Sequence, residues 1–464
     1  MTDRAIARLG ALFVGLFVLL ALQQLWLQVV RGPAIAADPH NPRHTAIAVG
    51  RGSILASDGS ALARSSGASR VYPQGPLAAQ AVGYASSRYG TSGLEDAFDG
   101  VLTAHTDAVD PLSQLRQILS GSASEPRGAD IVTTLELDVQ RALVAGLSRY
   151  PRGAGIVLDP RSGAVLALAS IPSYDPNHLA AQWSSLLDDP QSPLLDRSTQ
   201  GLYPPGSTFK IVTAADALDT GTVTLASTFY DPGYLTVGNA TIHDDEEEST
   251  GTQDLTGAFA LSSNVDFGQI ALRIGVDRWY DEAQKWGLGQ PVDFDLPVAR
   301  DRVPKKQDVY SGILAQLGFG QADLLVTPMR MALVGATIAN GGTTPRPYLV
   351  RRIAGRETTL STRPETLAQP ISSDTAHEVR DMMIAVVKRG TGTAAQLPNV
   401  TVAGKTGTAT NPHGRSHAWF VAFAPAEAPR VAVAVVVENV GYGGTYAAPI
   451  ARDVLRVALA RSRS

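Results

Sequence analysis

The chain has 464 residues, of which 44% are apolar and 18% charged, with a formal net charge of -4. That length exceeds one average domain and fits two folded units with ample buried core, while the charge balance gives no basic face for nucleic acid. No cysteine occurs, which excludes disulfides, thiolate metal ligands and a cysteine nucleophile, and suits a compartment where a free thiol is a liability.

Residues 9–22 are apolar without interruption, and after Gln23 and Gln24 the run resumes over 25–30 with one further Gln. Twenty-two residues rise about 33 Å as a helix, enough to cross the hydrocarbon layer. Arg4 and Arg8 precede the run and favour a cytoplasmic N-terminus; Trp26 suits an interfacial anchor. A cleaved signal peptide is the alternative, but the apolar run is longer than an ordinary signal core and Ala34-Ile35-Ala36 is a marginal cleavage site. The expectation is an uncleaved single-pass anchor in the cell membrane, with everything after residue 32 outside the cytoplasm.

Residues 33–47 read as polar linker. Arg51-Gly52-Ser53-Ile54-Leu55 with Asp58-Gly59 reads as a strand and turn, and 103–129, rich in Ser, Asp, Gly and Pro, as a loop. Val139, Leu143, Val144 and Leu147 mark one helix face. The runs 155–158 and 164–168 flank Pro160-Arg161-Ser162-Gly163 and predict a hairpin of core strands. Tyr203-Pro204-Pro205-Gly206 opens a helix over 207–219. The acidic run 244–248 reads as a solvated loop. A helix is expected over 324–338, with Pro328 in its first turn and Asn340-Gly341-Gly342 after its end. Strands are expected over 399–404, 418–424 and 430–437, then a closing helix over 449–461. Strands at both ends of the unit with helices between them predict a sheet whose first and last segments pair, an α+β or three-layer arrangement. His413 and His417 are four apart, but Pro412 and Gly414 argue against a helix there, so they read as surface loop histidines and not as metal ligands.

The chain carries 33 arginines and only six lysines. Arg stays charged, whereas Lys can lose its proton in a shielded site and act as a base. Two of the six stand in Ser207-Thr208-Phe209-Lys210 and Lys405-Thr406-Gly407-Thr408, with Ser262-Ser263-Asn264 between them. Ser207 opens a helix, where unpaired N–H groups and the positive dipole end favour developing negative charge. Lys210, three residues on, shares a face with it and can take the hydroxyl proton that makes serine a nucleophile. Ser262 can pass a proton toward a leaving amine while the Asn264 amide holds substrate backbone. Lys405 on a strand can attract a substrate carboxylate, and Gly407 leaves room for a peptide at the strand edge. The backbone N–H groups of Ser207 and Thr408 can form an oxyanion hole. Each motif alone is weak; the ordered trio in helix, loop and strand contexts is specific. Gly404-Lys405-Thr406 mimics the end of a phosphate-binding loop, but that motif needs glycine at 399, which is Asn.

With these motifs the chain resembles the class B penicillin-binding proteins, the monofunctional peptidoglycan D,D-transpeptidases. Arg51-Gly52-Ser53-Ile54, Gly93-Leu94-Glu95, residues 135–140, Asp159-Pro160, Pro172-Ser173-Tyr174-Asp175-Pro176-Asn177, Val326-Thr327-Pro328, Ala339-Asn340-Gly341-Gly342 and Trp419-Phe420 extend the likeness over about residues 50–455. The short stretch before the catalytic unit resembles the compact penicillin-binding protein A branch. The resemblance implies an α+β penicillin-binding transpeptidase fold, akin to serine β-lactamases, with an antiparallel sheet covered by helices and an all-helical subdomain. It divides the chain into a cytoplasmic stub and transmembrane anchor at 1–32, a small pedestal or dimerisation-type domain at 33–130 and a transpeptidase domain at 131–464. It implies Ser207, Lys210, Ser262, Asn264 and Lys405 as catalytic residues and Thr406, Gly407 and Thr408 as substrate-binding ones, with no metal or cofactor. Stem peptides ending in D-Ala-D-Ala and β-lactam antibiotics are the implied ligands. A membrane glycosyltransferase and divisome or elongasome proteins are the implied partners in cell-wall biogenesis, in cell division or cell shape. A β-lactamase, a D,D-carboxypeptidase and a non-catalytic scaffold of a cell-wall complex are the alternatives. Ser-Ser-Asn in place of Ser-Asp-Asn departs from class A β-lactamases, and a scaffold has no need of the five catalytic residues.

Overall fold

The computed structural model describes residues 2–26, 50–67, 69–103, 128–244, 248–355, 359–411 and 414–461. The linker expected over 33–47 and most of the loop over 103–129 lie outside the described residues.

The C-terminal unit is built on a five-stranded antiparallel sheet in the order Ala403–Ala409, His417–Ala424, Val431–Val437, Gly153–Leu158, Val165–Ile171. The first and last segments of the unit pair as expected, with Val433 opposite Val157 and Ala434 opposite Ile156. The hairpin predicted around Pro160 to Gly163 is present, with Ile156 opposite Leu168. Every residue of the two central strands His417–Ala424 and Val431–Val437 is buried, so helices cover both faces. Successive strand side chains point to opposite faces. Trp419, Val421 and Phe423 share a core with Met329, Leu333 and Met383, whereas Phe420 and Ala422 share one with Leu143, Leu147, Ile450 and Val454. Each large apolar side chain so buried contributes about 1.5–3 kcal/mol. The helices Pro328–Ala339 and Ser373–Arg389 therefore form one outer layer, and Leu137–Leu147 with Ala448–Arg461 the other.

Two boundaries differ from the sequence reading for local reasons. The helix expected from 324 starts at Pro328, because the Thr327 side chain caps it by accepting from Arg330 N–H at 3.1 Å. Leu325 and Val326 instead bridge to Arg302 and Tyr203. The strand expected over 399–404 runs over Ala403–Ala409, because Asn399 has φ +59° and turns the chain.

A second sheet of six strands runs Thr359–Ser361, Val350–Ala354, Asp130–Thr133, Ile54–Leu55, Ala61–Ser66, Ser69–Val71. The boundary expected after residue 130 falls inside this sheet, and two of its strands come from far along the chain. Here Arg51 is fully buried, its Nε 2.6 Å from Glu95 and its Nη1 2.6 Å from Asp99, while Arg70 holds the other Glu95 oxygen at 2.7 Å. That network links the Arg51-Gly52 and Gly93-Leu94-Glu95 motifs. The expected all-helical subdomain is not purely helical. Beside its helices it holds two antiparallel strand pairs, Thr228–Asp231 with Gly251–Asp254 and Tyr234–Val237 with Ala240–His243.

At the N-terminus, Thr2–Leu25 is one helix, and its large apolar side chains from Leu9 to Leu22 are exposed. Among the described residues no helix is long and apolar enough to cross a membrane; residues 27–30 of the expected span lie outside them.

Candidate active site

The segment before Ser207 is fixed from several sides. Tyr203 Oη donates to Glu438 at 2.8 Å, and the same carboxylate takes Arg197 at 2.9 Å and Arg152 at 3.0 Å. Burial, then Glu438, pushes the Tyr203 phenol well above its ordinary range, so it stays a donor. Trp419 Nε1 donates to Pro204 O at 3.1 Å, and Gly206 N–H to Gly320 O at 2.9 Å. Gly206 needs its missing side chain twice over: φ is +53°, and a Cβ would lie 2.9 Å from Thr408 O. The turn opens a 3-10 stretch, Gly206–Phe209, that runs straight into the helix Lys210–Asp219. Ser207 thus sits in the first turn, 7% exposed.

Ser262 sits where two helices meet. Leu255–Leu261 begins with the Asp254 side chain accepting from Gly257 N–H at 2.7 Å and ends at Ser262, whose φ of +67° and ψ of 35° are left-handed. A non-glycine residue there costs about 1–3 kcal/mol and needs surrounding structure to hold it. Ser263 supplies part of that, capping Asn264–Ile274 by accepting from Asp266 N–H at 3.0 Å. Both lysines converge on Ser262. Lys405 Nζ donates to its Oγ at 2.7 Å and Lys210 Nζ at 3.3 Å, while Lys210 also donates to Asn264 Oδ1 at 2.8 Å. Both lysine side chains are fully buried. Phe267 and Phe319 face the Lys210 amine at 5.5 and 5.9 Å, and Phe259 faces Lys405 at 5.5 Å.

Lys405, Thr406, Gly407 and Thr408 lie on Ala403–Ala409, an edge strand of the large sheet, in register with Val421, Phe420, Trp419 and Ala418. Gly407 has a packing role that was not read from the sequence. A Cβ there would meet Thr208 Cγ2 at 2.9 Å and Pro205 O and Trp419 Cβ at 3.0 Å. The glycine therefore lets the face of the strand approach the start of the Ser207 helix. Thr406 Oγ1 meets Thr391 Oγ1 at 2.6 Å. A cleft of about 640 Å³ is lined by Ser207, Ser262, Thr406 and Thr408 and also by Asp244, Thr391 and Tyr442. Lys210 and Lys405 reach Ser262 from within the protein, and Asn264 reaches Lys210. The three motifs, 55 and 143 residues apart between Ser207, Ser262 and Lys405, so form one site. A serine at a helix start, a buried amine and a bridging hydroxyl are the parts that acyl transfer needs.

Sequence reasoning missed Thr391, Tyr442 and the carboxyl groups behind Ser262. Asp244 is not part of a solvated loop: it is half-buried and its carboxylate accepts from the backbone N–H groups of Asn264 and Val265. Its neighbours 245–247 lie outside the described residues. His417 is not a surface residue either. It begins a core strand, packs edge-on to Tyr203 at 5.5 Å, and burial lowers its pKa. His413 lies outside the described residues.

The family model described as the penicillin binding protein transpeptidase domain matches residues 153–456, and that of the penicillin binding protein A dimerisation domain matches 51–131. The chain is 36% identical to the peptidoglycan D,D-transpeptidase PbpA of Mycolicibacterium smegmatis, over 98% of this chain and 99% of that one. It is 33% identical to the peptidoglycan D,D-transpeptidase MrdA of Escherichia coli K12, over 76% of this chain and 62% of that one. The solved structure of penicillin-binding protein A from M. tuberculosis as its ceftriaxone acyl-enzyme complex superposes with a TM-score of 0.82 at 34% identity, covering 89% of this chain and 99% of that one. The chain belongs to the penicillin-binding protein transpeptidase family, in the branch of penicillin-binding protein A.

Proposed function

We propose that the protein is a peptidoglycan D,D-transpeptidase that works through an acyl-enzyme on Ser207 and is acylated there by β-lactams. The observation that carries this reading is the convergence of Lys210 and Lys405 on the Ser262 hydroxyl, at 3.3 and 2.7 Å, in the cleft that Ser207 lines. In this scheme Ser207 Oγ attacks the penultimate D-Ala carbonyl of a stem peptide as Lys210 takes its proton. The N–H groups of Ser207 and Thr408 receive the negative charge on the carbonyl oxygen. The C–N bond then breaks, the departing D-Ala amine regains a proton by way of Ser262, and D-Ala leaves. The amine of a neighbouring stem attacks the ester and returns the proton and oxygen to Ser207, which closes the crosslink. Thr406 and Thr408, which line the cleft, hold the donor's terminal carboxylate, and the Lys405 charge behind them attracts it. Asn264 fixes Lys210 and the donor backbone.

The exposed apolar side chains of residues 9–22 support a second part of the reading, a membrane anchor that leaves the catalytic unit outside the cytoplasm. The family supports a partner as well, a membrane glycosyltransferase that supplies uncrosslinked strands; co-isolation in mild detergent tests it.

The function is tested by supplying pentapeptide-stem peptidoglycan strands and following products by mass spectrometry. Crosslinked dimers with an equal release of D-Ala are expected. Free tetrapeptide stems without dimers would identify a carboxypeptidase, and rapid hydrolysis of bound penicillin a β-lactamase.

A further inference from the structure

The turn that carries Ser262 rests on a pair of carboxyl groups for which the reaction scheme has no use. Asp231 ends the strand Thr228–Asp231 and is fully buried. Its carboxylate accepts from Gly233 N–H at 2.7 Å, Thr250 Oγ1 at 2.8 Å and Ser263 Oγ at 2.9 Å. Asp244 directly follows the strand Ala240–His243. Besides accepting from Asn264 N–H and Val265 N–H, it lies beside the Asp231 carboxylate. Two carboxyl groups held so close favour a state in which one of them keeps a proton. His243 O completes the grip by accepting from Asn264 Nδ2 at 3.1 Å. Residues 243 and 244 thus hold Asn264 by both backbone and side chain, and Asp231 holds Ser263.

We propose that Asp244 is a positioning residue for acyl transfer: through Asn264 N–H and the carboxyl pair with Asp231, it keeps Ser262 and Asn264 in the register that places both on the Lys210 amine. This rests on the transpeptidase reading above.

The charges facing Asp244 give the device a pH dependence. Asp231 lies against it, Asp266 faces Asp231 from the first turn of the next helix, Lys210 faces it from the nucleophile helix, and Glu248 lines the same cleft. Burial, then the neighbouring Asp231, raises the Asp244 carboxyl to about 7. Asp231 is held low, since its neighbour Asp244 and the hydrogen bonds from Gly233, Thr250 and Ser263 outweigh its burial. Below that point the pair holds its proton. Above it, two carboxylates stand side by side, and like charge loosens the turn. The loosened turn slows acylation on the alkaline side.

The test measures the acylation rate constant of the membrane-anchored, full-length protein with a fluorescent penicillin between pH 6 and 9. Wild type is compared with Asp244→Asn, which keeps the acceptor for Asn264 N–H and donates a proton to Asp231 at every pH, and with Asp244→Ala, which does neither. Asp244→Ala should be slower than wild type by about tenfold at pH 6. The ratio of Asp244→Asn to wild type should be near one at pH 6 and rise at least threefold by pH 8.5. A purely structural role would change the folded fraction and leave this ratio flat. A flat ratio, or Asp244→Ala labelling at the wild-type rate, overturns the inference. If Asp244→Ala does not fold by near-UV circular dichroism, the ratio alone decides. Failure of the transpeptidase reading would look different: wild type unlabelled, or Ser207→Ala still labelled.

Discussion

Gly407→Ala is the sharpest small perturbation of the site, because it adds a single carbon between two elements that must stay in register. The new Cβ would lie 2.9 Å from Thr208 Cγ2 and 3.0 Å from Pro205 O and Trp419 Cβ, against an ordinary contact of 3.4 Å or more. The strand Ala403–Ala409 must therefore retreat from the Ser207 helix by about half an ångström, since Thr208 and Trp419 are themselves fully buried and cannot yield. Overpacking of this kind costs about 1–3 kcal/mol of stability. The larger effect falls on chemistry. Retreat widens the gap between Ser207 and Thr408, whose N–H groups form the proposed oxyanion hole, and a misplacement near 1 Å can cost on the order of 100-fold. Half that displacement places the expected loss at about tenfold or more in the acylation rate constant. Fluorescent-penicillin labelling under single-turnover conditions measures it, with near-UV circular dichroism to establish the fold. A folded Gly407→Ala protein that acylates within twofold of wild type refutes the reasoning, because the strand then has slack that the contacts deny.

Lys405→Arg keeps the charge but replaces a compact amine, 2.7 Å from Ser262 Oγ and fully buried, with a planar guanidinium; acylation should fall at least tenfold, and an unaltered rate contradicts the role given to Lys405. Asp266 is raised from 3.8 to about 7 by burial and then by Asp231. A carboxyl raised on folding contributes stability that is full below its unfolded value and lost as pH rises through about 7. Asp266→Asn does not titrate, so its melting temperature relative to wild type should be more favourable at pH 8 than at pH 5; equal differences at the two pH values count against the buried carboxyl. Arg330 and Asp301 form a buried pair at 2.7 Å, and Arg330 also donates to Gln290 O at 2.9 Å. Arg330→Ala leaves Asp301 without its cation and should cost about 3–5 kcal/mol in denaturant unfolding, with acylation by the folded fraction unchanged; a loss below about 1 kcal/mol speaks against the pair.

What the sequence made legible follows from how local each signal is. Ser207 with Lys210, and Lys405 with Gly407, are short patterns on one helix and one strand, and the apolar runs 418–424 and 430–437 are a property of each strand alone. That the three motifs share one site could be read because they have a fixed order; that Lys210 and Lys405 both meet on Ser262 could not. Asp231 and Asp244 could not, since an aspartate after a strand looks the same in solvent as behind a catalytic turn. The left-handed Ser262 left no mark, because serine carries no conformational signature as glycine does. The joining of 350–354 and 359–361 to the sheet around Arg51 was equally hidden: pairing across more than 200 residues depends on tertiary packing and not on local pattern.

The central claim is that Ser207 carries the acyl group. Intact-protein mass spectrometry after brief exposure to penicillin, on wild type and Ser207→Ala, tests it most directly. The account predicts one added penicilloyl group on wild type, lost only slowly, and none on the folded variant. An adduct that persists on Ser207→Ala, or a folded wild type that gains no mass, would contradict it.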